Sequence, residues 1–136
     1  MNYFDKAKNI SYLSDFKQVH IGCVAVYKKH IIGIGYNTNK THPLQDHYNK
    51  YRNLTWNNGT KPKAKIHAEM MCILNIKGLN IDFSKVRLFI YREDKNGNIA
   101  LSKPCKACYN AIKDLGIKEI NYTIYNGYRK ETLENE

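Results

Sequence analysis

The chain has 136 residues, of which 43% are hydrophobic and 25% charged, and its formal net charge is +10. This length is typical of one domain with its own core and is too short for two. The apolar runs are too short to span a bilayer and the N-terminus lacks the apolar core of a signal peptide, so we expect a cytosolic protein, in its own cell or a host cell, with no membrane partner. Four cysteines in a cytosolic chain indicate metal binding or core packing rather than disulfides.

The first part of the chain predicts a helix followed by a β-hairpin. Apolar side chains recur at helical spacing through residues 3–18, which indicates a helix with one buried face. The segment His20–Tyr27 is rich in β-branched residues and predicts a strand, as does Ile31–Tyr36. The short segment Lys28–His30 between them predicts a tight turn, so the two strands should pair as a hairpin.

Residues 38–65, called the basic loop below, separate this hairpin from the rest of the chain. Their prolines, their glycine and many Asn and Lys residues predict a long loop, with a short helix near Gln45–Tyr51. Residues 39–65 carry six basic and one acidic side chains, which is half of the excess positive charge. This cluster suits an anionic partner, either the phosphate of a nucleotide or a nucleic-acid backbone. A solvated, Lys-rich surface explains the total charge equally well.

The second half of the chain predicts strands that alternate with helices, and the first two of these helices are each followed by a glycine that ends them. The predicted elements are a helix over 66–77, a strand over Val86–Tyr91, a helix over Pro104–Leu115, a strand over Ile117–Tyr125 and a last short helix over Arg129–Glu136. A hairpin followed by such units predicts an α/β fold, in which helices cover both faces of a mixed sheet.

Three side chains of this second half have the chemistry of a zinc site. His67 opens one predicted helix, and Cys105 and Cys108 lie on one face at the start of another, where the helix N-terminus favours thiolate. Three soft ligands leave the fourth tetrahedral position open for water, which is typical of a catalytic zinc. Cys72 is off the face of His67 and Cys23 lies in an apolar strand, so neither is expected to bind the metal.

Glu69 lies two residues after His67 and has no ligand role to fill. A carboxylate beside a zinc-activated water can move protons to and from it. Both side chains can face the metal because a residue at a helix start need not have helical dihedral angles. The order H-x-E…P-C-x-x-C is the pattern of zinc deaminases of nucleobases. Either half alone is a weak signal, since C-x-x-C also occurs as a structural half-site or a redox pair.

With these motifs the chain resembles the cytidine/deoxycytidylate deaminase superfamily over nearly its whole length. The segments that carry the resemblance are Gly22–Val26, Gly35–Asn37, His67–Glu69, Pro104–Cys108 and Ile112–Ile117. A histidine as first ligand is similar to the dCMP deaminase, tRNA adenosine deaminase and APOBEC branches, and the region before it is similar to small phage-encoded deaminases. The resemblance implies one zinc-dependent deaminase domain over 1–136, a three-layer α/β/α sandwich with a mixed four- or five-stranded sheet.

The resemblance also implies what the site residues do. Zn2+ on the histidine and the two cysteines activates water, and Glu69 acts as the catalytic proton shuttle for attack on C4 of cytosine or C6 of adenine. Asn37 contacts the sugar of the substrate, and the backbone N–H of Ala68 holds the pyrimidine carbonyl. After Asn37 the chain departs from the dCMP enzymes, which commonly carry a Gly- and Pro-containing loop there, so the phosphorylation state of the substrate stays open.

Three functions remain open at this point. The first is deamination of cytosine in a free (deoxy)cytidine nucleoside or nucleotide, and the Lys-rich rather than Arg-rich charge favours it. The second is a deaminase of single-stranded DNA or RNA, for which Tyr48, Tyr51 and Trp56 of the basic loop are candidate stacking platforms. The third is a non-catalytic zinc-binding module, and the intact Glu69 counts against it. A homo-oligomer is compatible with all three.

Overall fold

The computed structural model describes residues 2–16, 18–52 and 64–133 of the chain. In these residues it has four α-helices and five strands. In chain order they are α1 (Tyr3–Ser11), β1 (Val19–Tyr27), β2 (His30–Tyr36), α2 (Pro43–Tyr48), α3 (Ala68–Ile76), β3 (Arg87–Asp94), α4 (Lys106–Leu115), β4 (Glu119–Ile124) and β5 (Gly127–Thr132). Single 3-10 turns lie at Asn49–Tyr51 and Phe83–Lys85. None of the helices in the described ranges is long and apolar enough to cross a membrane.

The five strands form one mixed sheet in the order β2-β1-β3-β4-β5. Strand β1 pairs antiparallel with both β2 and β3, and β4 pairs antiparallel with β5. Only β3 and β4 run parallel among the described strands, and α4 connects them. Such a crossover places the N-terminus of α4 at the carboxyl end of β3.

The alternating side chains of β1 show how the sheet separates two apolar layers. Val24 and Val26 point to one face, where they pack with Ala7 of α1. Cys23 and Ala25 point to the other face, into the larger cluster that α3 and α4 cover. Because successive side chains of a strand point to opposite faces, one apolar run serves both layers. The three-layer α/β/α sandwich and the mixed sheet are therefore confirmed.

Two glycines allow the helices to approach the sheet closely from opposite sides. A Cβ built on Gly22 would overlap the carbonyl oxygen of Ala7 in α1, and one on Gly35 would overlap the carbonyl oxygen of Ala68 in α3. In both places the obstacle is helix backbone rather than a movable side chain. The glycine at position 35 therefore fixes how near the start of α3, and with it His67, lies to the sheet.

The prediction of a last helix over Arg129–Glu136 was wrong, because the described part of this segment belongs to strand β5 and supplies the fifth strand. Strand β5 follows β4 through the two-residue turn at Tyr125 and Asn126 and pairs with it in register. A cross-strand ion pair joins Lys130 Nζ and Glu119 Oε1 at 3.4 Å. Leu133, just after the strand, is buried in the main core. The hairpin thus gives β4 a backbone partner along its outer edge, which a helix would not do.

The first helix is shorter than the predicted 3–18, since α1 ends at Ser11. The chain turns away beyond this point, and Asp15 makes two contacts with the segment after β2. Its Oδ1 accepts a hydrogen bond from the Asn39 N–H at 2.9 Å, and its Oδ2 accepts one from the Thr38 hydroxyl at 3.2 Å. These contacts hold Asp15 against a distant part of the chain, and α1 does not continue to it.

Candidate metal centre and catalytic site

His67 lies at the N-terminal end of α3 but outside its helical geometry. It caps the helix with φ of −84° and ψ of 159°, which is an extended conformation. Ala68 is the first helical residue, and Glu69 lies in the first turn. The extended backbone at position 67 allows the His67 and Glu69 side chains to line the same cavity, as the sequence led us to expect.

The two cysteines are held by the start of α4. Cys105 caps this helix, again with extended backbone, and Cys108 is buried in its first turn. Because α4 begins at the carboxyl end of β3, its first turn faces the first turn of α3. The structure therefore brings the three sequence-predicted ligands together from two helix starts that are far apart in the chain.

The three ligand atoms have the spacing that one zinc ion needs. His67 Nδ1 lies 3.5 Å from Cys105 Sγ and 3.4 Å from Cys108 Sγ. Tetrahedral bonds of about 2.3 Å to sulfur and 2.0–2.1 Å to nitrogen would place these atoms about 3.5 Å apart. In the described ranges the group contains only these three residues, so Cys23 and Cys72 are not part of it. The geometry and the soft donor set both fit Zn2+ with an open fourth position.

The two thiols of this group differ in their protonation. A hydrogen bond from Cys108, together with the nearby His67 ring, lowers the pKa of the Cys105 thiol to about 3. The same pairing with Cys105, together with burial, raises the pKa of Cys108 well above its ordinary value. The lowered pKa favours the thiolate form of Cys105, which is the form that ligates metal.

Glu69 is buried beside this group without belonging to it. Its side chain is only 5% exposed, and burial raises the pKa of its carboxyl group above the ordinary value. A carboxyl group with a raised pKa is suited to taking and giving protons near neutral pH. Glu69 therefore lies beside the three possible ligands without being one of them.

Two cavities meet at His67 and Ile21. The first, called the Glu69 cavity, has a volume of about 140 Å³ and is lined by Ile21, His67, Glu69, Arg92, Leu101, Ser102, Lys103 and Cys105. The second, called the Asn37 cavity, has a volume of about 190 Å³ and is lined by Phe16, Val19, Ile21, Asn37, Lys65, Ile66 and His67. The two cavities therefore share His67 and Ile21 in their linings.

Of the two predicted substrate contacts, Asn37 lines the second cavity, whereas Ala68, between His67 and Glu69 in the chain, is buried and lines neither. The side chain of Asn37 is held by β1, since its Oδ1 accepts from the Ile21 N–H at 2.9 Å and its Nδ2 donates to the Val19 carbonyl at 3.1 Å. Ala68 is buried at the first position of α3, where a backbone N–H has no acceptor within the helix. The second amide hydrogen of Asn37 and the backbone N–H of Ala68 are the hydrogen-bond donors that these two positions offer.

Gln45 is a residue of the site that sequence reasoning missed. This side chain of α2 is fully buried, its Oε1 accepts from the His67 backbone N–H at 3.1 Å, and its Nε2 donates to Asn49 Oδ1 at 2.9 Å. It thereby holds the backbone of a metal ligand from within the basic loop. A glutamine between Asn- and Lys-rich neighbours gives no sequence signal of burial.

We expect Gln45→Ala to lower the free energy of unfolding by about 1–3 kcal/mol, because it leaves buried polar groups of His67 and Asn49 without partners. Urea unfolding of the zinc-loaded protein measures this change. Gln18→Ala is the matched control, since Gln18 is exposed and its loss should change the stability by less than about 0.5 kcal/mol. Equal stability of the two variants would contradict the role given to Gln45.

Comparison with known proteins agrees with this geometry. The family model described as "Cytidine and deoxycytidylate deaminase zinc-binding region" matches residues 1–124. No curated protein matches the chain. Among solved structures, the dCMP deaminase of cyanophage S-TIM5 in complex with dCMP and dUMP has a TM-score of 0.60 at 20% identity, covering 88% of this chain and 76% of that one.

The apo form of the same cyanophage enzyme has a TM-score of 0.58 at 18% identity, covering 88% of this chain and 78% of that one. A mutant cytidine deaminase from Mycobacterium tuberculosis has a TM-score of 0.54 at 13% identity, covering 96% of this chain and 91% of that one. At these identities the likeness shows a shared fold. Since the family model spans 124 of the 136 residues and includes all three zinc ligands, the chain belongs to the family of cytidine and deoxycytidylate deaminases with a zinc-binding region.

Proposed function

We propose that the chain catalyses hydrolytic deamination of the cytosine base in a free (deoxy)cytidine nucleoside or nucleotide, such as dCMP, to uracil with release of ammonia. The observation that carries the proposal is the single small cavity at which Glu69, His67 and Cys105 meet. It combines a metal site that has an open position with a buried carboxyl group that is free of the metal. This combination is what attack of water on an aromatic ring carbon requires.

In this proposal His67, Cys105 and Cys108 hold the zinc. A zinc ion on these residues supplies the Lewis acidity that lowers the pKa of water. Glu69 would accept one proton of the attacking water and donate it to the ring nitrogen, then accept the proton of the new hydroxyl group on the ring carbon and give it to the departing amine. Its burial serves this work, since burial raises the pKa of the carboxyl group above its ordinary value and makes it a better proton acceptor.

The remaining contacts fix the substrate. The backbone N–H of Ala68 donates to the pyrimidine carbonyl beside the Glu69 cavity. Asn37 lies at the second cavity, on the other side of His67, and uses one amide hydrogen on Val19. An amide group has two such hydrogens, so the other remains for a hydroxyl group of the sugar. The ring and the sugar would thus occupy one cavity each.

The test is a panel of substrates at one enzyme concentration. We expect ammonia release, with the matching mass shift, from dCMP, deoxycytidine or cytidine. We expect none from adenosine, guanine or a single-stranded oligonucleotide. Zinc-loaded protein that releases ammonia from none of these compounds would refute the proposal and favour the non-catalytic zinc module.

A second candidate, a deaminase of single-stranded nucleic acid, is favoured by a basic cleft beside the site. The cleft has a volume of about 500 Å³ and is lined by Lys50, Tyr51, Arg52 and Lys106. Arg52 Nη1 lies 3.4 Å from His67 Nε2, so the cleft borders the metal centre. The ring of Tyr51 is 41% exposed and can stack on a base.

The other proposed stacking platforms give this candidate less support. The hydroxyl group of Tyr48 donates to Asp114 at 2.7 Å and its ring packs against the main core, while Trp56 lies outside the described residues. A polynucleotide substrate would show an affinity that falls with salt, by a slope of about −0.7 for each phosphate contact. Oligonucleotide deamination with such a slope, and none on dCMP or deoxycytidine, would establish this candidate instead.

A further inference from the structure

Arg92 lines the Glu69 cavity, at the point where the core face of β3 ends. Leu88 and Ile90 are buried on the face that α3 and α4 cover. Because strand side chains alternate, Arg92 is the next residue on that face. It lines the cavity together with Glu69 and Cys105. The row of apolar side chains thus ends in a guanidinium group beside the residues of the proposed chemistry.

The guanidinium group of Arg92 is only partly satisfied by the protein. Its Nη1 donates to the Leu101 carbonyl oxygen at 3.3 Å, but its Nε is buried and has no hydrogen-bond partner. In the described ranges no carboxylate forms an ion pair with it, whereas Lys103 of the same cavity pairs with Glu131 at 3.5 Å. A buried donor without an acceptor is costly, so its retention calls for an acceptor from outside the described residues.

We propose that Arg92 is a substrate-contacting residue that donates hydrogen bonds to an oxygen of the substrate within the Glu69 cavity. The inference rests on the proposed deaminase function. Arginine only donates hydrogen bonds, so its partner must be an acceptor. The strongest acceptors of a (deoxy)cytidine nucleotide are the carbonyl oxygen of the base and the oxygens of the phosphate. Both are recognised by the same planar set of donors.

The test compares the zinc-loaded wild-type protein with Arg92→Met, using deoxycytidine and dCMP as substrates. Methionine retains an unbranched apolar side chain and removes the donors. Since hydrogen bonds to charged groups contribute more than neutral ones, we expect kcat/KM to fall roughly 10- to 100-fold. An equal fall with both substrates identifies the base carbonyl as the acceptor, and a fall with dCMP alone identifies the phosphate.

Arg87→Met is the matched control on the same strand. The Arg87 guanidinium lies over the rings of Tyr3 and Phe89 at 5.5 and 5.4 Å, on the opposite face of the sheet, so its loss should leave kcat/KM unchanged. If Arg92→Met does not fold, Arg92→Lys replaces it, because lysine keeps the charge but lacks the planar fork. A folded Arg92 variant with unchanged kcat/KM on both substrates would overturn the inference and leave the deaminase function standing. A wild-type protein inactive on deoxycytidine, dCMP and cytidine would overturn the function itself.

Discussion

Replacing Glu69 by Gln is expected to leave zinc bound while deamination slows by at least about 10²–10⁴-fold, the range for general acid–base catalysis. The amide group matches the carboxyl group in shape but cannot exchange a proton with water, ring nitrogen or amine. Zinc should remain because the metal group in the described ranges consists of His67, Cys105 and Cys108 alone. Turnover by ammonia release and zinc per chain, measured on the same sample, separate the two effects.

Asp5→Asn is the matched control for this change. Asp5 is also an acidic residue in the first turn of a helix, but it is exposed on α1. Its substitution should alter neither turnover nor zinc content. If Glu69→Gln turned over substrate at nearly the wild-type rate, Glu69 would not be the proton shuttle. Loss of zinc from this variant would instead place the carboxylate among the ligands.

The metal centre could be predicted from the sequence because its determinants are local. Cys105 and Cys108 share a face through the geometry of a single helix turn, and His67 lies at the start of another helix. Each of these placements depends on a few neighbouring residues. The layers were predictable for the same reason, since the apolar run of β1 already indicates a strand that is buried on both faces.

The features that sequence reasoning missed depend on contacts between distant residues. The polar segment Gly127–Thr132 shows little apolar alternation and becomes a strand because β4 offers it an edge. Gln45 of α2 is buried where its side chain accepts a hydrogen bond from the backbone N–H of His67, which is 22 residues further along the chain. The sequence around Arg92 predicts only a strand, and its place in the same cavity as Glu69 depends on the tertiary fold. In each of these cases the tertiary partner, rather than the local sequence, decides the environment.

Replacing Cys105 by Ala is expected to abolish stoichiometric zinc binding, whereas Cys72→Ala should retain one zinc per chain. Each substitution removes one thiol group. Of these two thiols, the one of Cys105 lies 3.5 Å from His67 Nδ1, whereas Cys72 is not part of the metal-binding group. Cys72 is fully buried in the core beside Cys23 instead. Burial, together with a hydrogen bond to Cys72, raises the pKa of the Cys23 thiol well above its usual value, and no histidine joins these two cysteines in a metal-binding group within the described ranges.

Metal analysis of the purified variants distinguishes the two sites, with circular dichroism to show that each is folded. The open fourth position makes the result informative, because a site with three protein ligands has no spare side chain to compensate for a lost one. The Tm of each variant should depend on whether it binds zinc, since an ion that binds only the native state stabilises it. Added zinc should therefore raise the Tm of Cys72→Ala and leave that of Cys105→Ala unchanged. Full zinc in Cys105→Ala, or its loss from folded Cys72→Ala, would mean that the ligand set is different from the one proposed.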